Sequence, residues 1–392
     1  MAIIPAAYPF IDVVVNTAGL TPIATRLTGV VAVVGKAQSG GNNVGSAPVN
    51  TPLEVSTLED AAQFAGLDGG GAVTKRTSLY DSLVLAMQQN PPPQKIYGVK
   101  VDGDDYGAAL ATLESVGDVT FVTLANESGP GDAPPKAPTK LGALKDHVER
   151  VSAAGNKRIG VAMVDPAIAK SPTYAGDLDS AITAELKSSD GRMVVVAARG
   201  ATMDVATAAA AAIAGYAPLV SLVLKPLNGV SIPSVSRYSP SEIKQLSELN
   251  IIPIISPALL PSGFYFGEGR TYSDGVLGYI DTVRVLDDID FRLKAGLVGA
   301  IGDARITRFG LRQVATRIDG ILQPLLSNQT IDGYSSAIPV LDILSIPESS
   351  WTPGQTNQVA TARGNRTVDV FVSVLYGPAV HRLSISLNPS FV

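Results

Sequence analysis

The sequence has no cysteine, only two histidines (His147 and His381) and a single tryptophan among 392 residues. Without thiols there is no disulfide framework, no cysteine nucleophile and no thiolate metal site. Two histidines leave almost no candidates for zinc binding or imidazole acid–base chemistry. Charge is scarce as well. Asp, Glu, Lys and Arg make up 17% of the chain, against roughly 25% in ordinary soluble domains. Much side-chain surface is therefore expected to be buried, within the chain or between chains. A net charge of −5 lacks the basic excess of a nucleic-acid binder. The opening MAIIPAAYPFIDVVV has no basic n-region and is broken by Pro5, Pro9 and Asp12. It does not read as a signal peptide, and synthesis in the cytoplasm is the expectation.

One run is long and uncharged enough to test as a membrane span, Val205 to Leu224. Its first half is mostly alanine, and Gly215 and Pro218 divide it. The reading is a small-residue helix from Val205 to Tyr216 that feeds a buried strand from Leu219 to Leu224, with no membrane insertion. A second run, TGVVAVVGKAQSGG from Thr28, offers two glycines and Lys36 in the manner of a phosphate-binding loop. That loop needs four residues between its glycines and a hydroxyl after its lysine. Here five residues intervene and Ala37 follows the lysine. The five, Val30 to Val34, are small or β-branched and apolar, which describes a buried strand.

Along the chain, apolar strand-like runs alternate with amphipathic stretches. Strands are expected at Lys95–Val101, Asp118–Asn126, around Ile159, and at Arg192–Arg199. Helices are expected at Thr77–Gln89, Lys140–Ala154 and Gly176–Lys187, and after a cap at Ser239 or Ser241. Continuously apolar strands separated by helices imply a mostly parallel sheet covered on both faces, an α/β three-layer domain. Two long helices follow: one carries Ile280, Val283, Leu286, Ile289 and Leu293, and the other, from Arg305 to about Leu325, carries Ile306, Phe309, Val314 and Ile318. At each end the period changes to two. Phe10, Ile11, Val13 and Val15 form one strand-like run. Val368, Val370, Val372 and Val374 form another, and after a Gly377-Pro378 turn Leu383, Ile385 and Leu387 form a third. The expected organisation is an arm over 1–22, an α/β body over 23–275 and an α+β domain over 276–392.

Few residues offer chemistry. Asp102-Gly103-Asp104-Asp105 lacks the spacing of a calcium loop and reads as a solvated turn. Asp287, Asp288 and Asp290 read as a solvated helix face partnered by Arg284 and Arg292. His147 is expected on an exposed helix face and His381 in the terminal strands. There is no G-x-S-x-G elbow, and Gly69-Gly70-Gly71 reads as a flexible turn. No catalytic residue, cofactor site or metal site is expected, and the chain does not read as an enzyme.

The order of several segments resembles the contractile tail sheath proteins of myophages and related injection particles. They are TGVVAVVGKAQSGG, NTPLEVSTLEDAAQFAG, KIYGVKV, AAAAIAGYAPLVSLVLKPLNGV, SELNIIPI, and GEGRTYSD followed by YIDTVRVLDDIDFRL. The β-sandwich that larger members insert after the strand matching Lys95–Val101 is missing, and Phe266-Gly267 is offset from Arg270-Thr271. The resemblance implies a middle domain similar in fold to subtilisin-like proteases without their activity. It also implies a structural subunit that stacks as helical, six-fold rings around a tail tube and contracts to drive that tube through the host envelope. The implied partners are further copies of the chain, the tube protein, and baseplate and terminator proteins, in a virion tail assembled in the host cytoplasm. Phe10–Val15, Val368–Leu375 and Leu383–Leu387 would be strands exchanged between subunits. Arg305, Arg308 and Arg312, spaced i, i+3 and i+7, would face carboxylates on the tube. The rival readings are a static capsid or surface-layer protein and a cytoplasmic α/β enzyme.

Overall fold

A computed structural model describes residues 26–128 and 139–381. The expected strand residues Phe10, Ile11, Val13, Val15, Leu383, Ile385 and Leu387 lie outside the described residues. The chain divides into two compact units. The larger comprises residues 26–291, 324–337 and 371 onward; the smaller comprises 292–323 and 338–370. The division falls at Phe291/Arg292, inside the helix Ile280–Leu297.

The larger unit is built on a nine-stranded sheet. Its parallel centre runs, in spatial order, Ile252–Ile255, Met193–Ala197, Ile159–Met163, Phe121–Ser128, Val30–Gly35 and Lys95–Lys100. Pro52–Glu54 adds antiparallel at one edge; Phe264–Phe266 and then Pro226–Leu227 add at the other. All six residues of VVAVVG are buried. Val31 and Val33 join one core, with the helices Ser78–Met87 and Val205–Gly215. Val30, Ala32 and Val34 join the other, with the helices Tyr106–Thr112, Lys140–Ala153, Tyr174–Leu186 and Pro240–Glu248. A strand buried on both faces has no use for alternation, so its sequence reads as one apolar run.

The alanine run becomes the helix Val205–Gly215, buried on every side from Val205 to Ala214. A helix sandwiched between a sheet and another helix needs small side chains all round, and alanine supplies them at no loss of helix propensity. The approach is close enough that a Cβ on Gly29 would lie 2.2 Å from the Ala214 carbonyl oxygen. A Cβ on Gly35 would lie 2.3 Å from the Ala125 Cβ. The two glycines that imitate a phosphate loop are packing glycines at the ends of a core strand. The buried strand expected at Leu219–Leu224 does not form. That segment is turns, with Leu219 and Leu224 exposed, and Leu224 stands in the left-handed region with φ 59°. No helix among the described residues is long and apolar enough to cross a membrane.

Caps explain several helix starts. Thr57 and Ser239 each form a capping box, with Asp60 and Glu242 respectively. Thr77 accepts from the Tyr80 N–H, and Asp204 caps the alanine helix by accepting from the Thr207 N–H. Asp105, in the run tested above as a calcium loop, caps Tyr106–Thr112.

The smaller unit has a core of Leu311, Ile338, Val340, Ile343, Val359 and Ala362, with Ile306, Val314, Trp351, Val368 and Val370 packed against it. It takes in the helices Pro339–Leu344 and Pro353–Asn365, neither of which shows in the apolar periodicity. Val368 and Val370 therefore belong to this core and not to a terminal strand.

Candidate functional site

In an open α/β sheet the place to look for a ligand is the crevice beyond the carboxyl ends of the strands, where the strand order reverses. Here the Val30 strand has the Lys95 strand on one side and the Phe121 strand on the other, so the reversal lies between Gly35 and Ala125. The groups there bond to the chain itself. Lys36 pairs with Asp104, and Lys140 with Glu127 at 3.1 Å. Tyr106 donates its hydroxyl to Glu127. Asp204 accepts from the Asn126 N–H at 2.9 Å and from Ser82 Oγ at 2.6 Å. Among the described residues no group of three or more His, Asp or Glu side chains is placed to hold a metal.

The charged side chains that the sequence placed on solvated faces are instead structural. His147 is buried, with only 2% of its surface exposed. Its Nε2 accepts from Arg158 Nη1 at 2.9 Å, and Arg158 Nη2 donates to the carbonyls of Leu113 and Val116. Burial, and then the Arg158 charge, push His147 down to about 4, which keeps the ring neutral and accepting. Asp287 is held bidentately by Arg192 at 2.6 and 2.9 Å. Arg284 is itself buried and donates to the carbonyls of Tyr216, Thr28 and Ala217. These partners lie 67 to 256 residues away, beyond the reach of any spacing rule. Arg199 lies between the rings of Tyr174 and Tyr238, 4.6 and 4.9 Å from their centroids, and pairs with Glu242 at 2.7 Å. Burial opposes the Glu242 charge, but hydrogen bonds from Arg199 and Ser239 overcome it and hold the carboxyl near 2.

His381 has partners that the sequence reading did not find. Its Nε2 lies 2.8 Å from Ser221 Oγ and its Nδ1 3.4 Å from Glu268 Oε1, the connectivity of an acyl-transfer triad. The three residues come from widely separated parts of the sequence.

The surface that differs most from the body is a two-stranded antiparallel sheet. Gly333–Ala337 pairs with Phe371–Leu375, from Gly333 opposite Leu375 to Ala337 opposite Phe371. Val372 and Val374 are in strand as expected, but their partner is GYSSA rather than the segment beyond Gly377. A polar run between two helical stretches gave little sign of a strand. No residue of either strand is fully buried, and Phe371 and Leu375 are 61% and 65% exposed. Among the described residues neither strand pairs with a third.

The arginine trio is exposed, but not on one helix. The helix is Arg308–Ser327, with Thr307 Oγ1 accepting from the Gly310 N–H at its start. Arg305 precedes it, while Arg308 and Arg312 share a face. Phe309, expected on the apolar side, is 72% exposed between them. The smaller unit as described carries eight Lys/Arg and five Asp/Glu, a net of +3 in a chain of net −5.

The sequence matches no protein-family model and no curated protein. The structure matches solved structures along nearly its whole length. The sheath of an extracellular contractile injection system, the PVC sheath complex in its contracted state, aligns with a TM-score of 0.66 at 14% identity over 98% of both chains. The helical sheath of the anti-feeding prophage, also contracted, aligns at 0.65 and 15% identity, over 98% of this chain and 99% of that one. A sheath tail protein from Listeria innocua aligns at 0.52 and 12% identity, over 92% and 98%. The fold of this chain, a largely parallel sheet between helices with a second small unit, is the fold of contractile sheath subunits.

Proposed function

We propose that this chain is a structural subunit of a contractile sheath. It polymerises as stacked, six-fold helical rings around a tail tube and contracts to drive the tube through an envelope. The observation that carries the reading is the match in fold over essentially the full length of sheath subunits. The open two-stranded sheet supports it from this chain's own residues. An edge with unpaired N–H and C=O groups gains main-chain hydrogen bonds when another copy adds a strand, and alternating side chains fix the register. Strands Phe10–Val15 and Leu383–Leu387 of neighbouring copies are the proposed additions.

In this reading contraction needs two packings of rigid units with different interface energies and no catalytic residue. The neighbours in fold are structural proteins rather than enzymes. Arg305, Arg308 and Arg312, with the exposed Phe309 among them, are the proposed contact to the tube. Their charge makes that contact dependent on salt and breakable. Baseplate and terminator proteins are the proposed partners at the two ends. Assembly in the host cytoplasm and residence in a virion tail or a tail-like injection particle follow from the same reading. Electron microscopy of the purified chain tests it: hollow helical tubes support it, and a monomer that persists at high concentration overturns it.

The Ser221–His381–Glu268 arrangement favours a second reading, an acyl-transfer enzyme. A fluorophosphonate that labels Ser221, seen by intact mass, would support that reading; an unmodified chain would remove it.

A further inference from the structure

The GEGR segment, Gly267–Arg270, follows the Phe264–Phe266 strand. Glu268, 7% exposed at the end of the Phe264–Phe266 strand, faces His381 Nδ1 at 3.4 Å. Arg270 lies over the Tyr279 ring at 4.9 Å and donates to its hydroxyl at 3.0 Å. Arg270 also stands 4.0 Å from Glu268. Tyr279 in turn meets His381 edge to face at 5.2 Å, and Ser221 Oγ closes the ring of contacts at 2.8 Å from Nε2. The body thus supplies an acid, a hydroxyl and an aromatic wall around one imidazole.

The segment that brings the imidazole there is short. It leaves the Phe371–Leu375 strand at Tyr376, whose hydroxyl donates to the buried Asp281 at 2.9 Å. At Gly377 a Cβ would lie 2.2 Å from an Asp332 carboxylate oxygen, so a larger residue there would displace the exposed Asp332 side chain. Pro378, Ala379 and Val380 are exposed, and Val380 is 80% so. Among the described residues no backbone–backbone hydrogen bond holds the segment between Tyr376 and His381. It is fastened at its two ends by side chains and lies open between them.

We infer that Glu268, Ser221 and Tyr279 form a socket for His381 that clamps the Tyr376–His381 strap to the body and sets where the C-terminal segment departs. Docked, the chain is held to the body as far as His381. Undocked, it is held only as far as Tyr376, and the five residues from Gly377 to His381 add about 16 Å of extended reach. The clamp is a reserve of chain length held by side-chain contacts at its two ends. Its use, to let bodies slide while strands stay paired in a neighbour, rests on the sheath reading; the clamp itself does not.

The test uses the full chain, dilute and unassembled. Because the chain has no cysteine, Val380→Cys gives a single site for a spin label. In the otherwise unchanged chain the label's backbone segment should be restricted. His381→Ala should narrow the label's spectrum, with reorientation about tenfold faster, while the thermal melt of the body stays unchanged. His381→Gln, which keeps a polar group toward Ser221, should fall between the two. A label as mobile as on a free peptide before any change at His381, or no change in His381→Ala, overturns the clamp. A chain that forms contractile tubes with a fully mobile label loses the clamp alone. A restricted label in a chain that forms no tubes keeps the clamp and loses the sheath.

Discussion

Two sheets in this chain are made of nearly the same residues and end in opposite states. VVAVVG lies in the middle of nine strands with every residue buried. FVSVL has, among the described residues, one partner strand, and it has no fully buried residue. Valine suits both because a β-branched side chain fits a pleated surface wherever that surface lies. Position in the fold, not β propensity, separates them. The central strand satisfies its backbone and both faces within one chain, so its interactions serve stability. The outer pair leaves Phe371 and Leu375 exposed and, among the described residues, meets no third strand, an edge of the kind natural sheets usually blunt or cover.

Substitutions can break that comparison, and the largest effect belongs to the central strand. Val31→Asp would bury an unpaired carboxylate and should cost more than about 4 kcal/mol. The expected outcome is loss of soluble, cooperatively melting protein. Next comes acid. His147 is held neutral near 4, below its ordinary 6.5, so the unfolded chain takes up a proton that the folded chain refuses between those values. Its contribution is fully present above 6.5 and is lost as pH falls toward 4, about 3 kcal/mol at most. Urea titrations at pH 7 and pH 4 measure the drop, and His147→Gln should flatten it over that window.

Smaller effects on stability sharpen the contrast from the other side. Val374→Asp sits in the open pair and should cost no more than about 1 kcal/mol. If the sheet is an acceptor for exchanged strands, this variant stays folded yet forms no tubes in micrographs. Lys36→Ala removes a partly exposed pair with Asp104 and should change stability by less than about 1 kcal/mol. ATP binding by the wild type that this variant abolishes would contradict the packing role assigned to its loop. Reversal of Arg305, Arg308 and Arg312 to Glu should leave the melt within about 0.5 kcal/mol. Co-sedimentation with tubes at low salt is where its effect should appear, and unaltered sedimentation would remove the arginines from the tube contact.

The body strands were legible because burial on both faces writes a continuous apolar run that needs no knowledge of its neighbours. The helix starts at Thr77 and Ser239 were legible because these caps act within three residues of themselves. The polar strand Gly333–Ala337 was not legible, since it earns its place only through the partner it meets. His147 and Asp287 were misread as solvated for a related reason. A helix heptad shows which residues share a face, but not that Arg158 or Arg192 arrives from another element to pair with them.

The sequence alone determined the alternation of strand and helix, the alanine helix, and the exclusion of thiol chemistry. It also excluded a phosphate loop at Lys36. Each of these depends on residue type and on neighbours a few positions away. Only the tertiary structure decided that Gly29 and Gly35 are demanded by the close approach of Ala214 and Ala125. The same holds for the move of Val368 and Val370 from a terminal strand into a core, and for the meeting of Ser221, Glu268 and His381. Those outcomes depend on which distant segments the packed sheet brings within contact. No local period records that information.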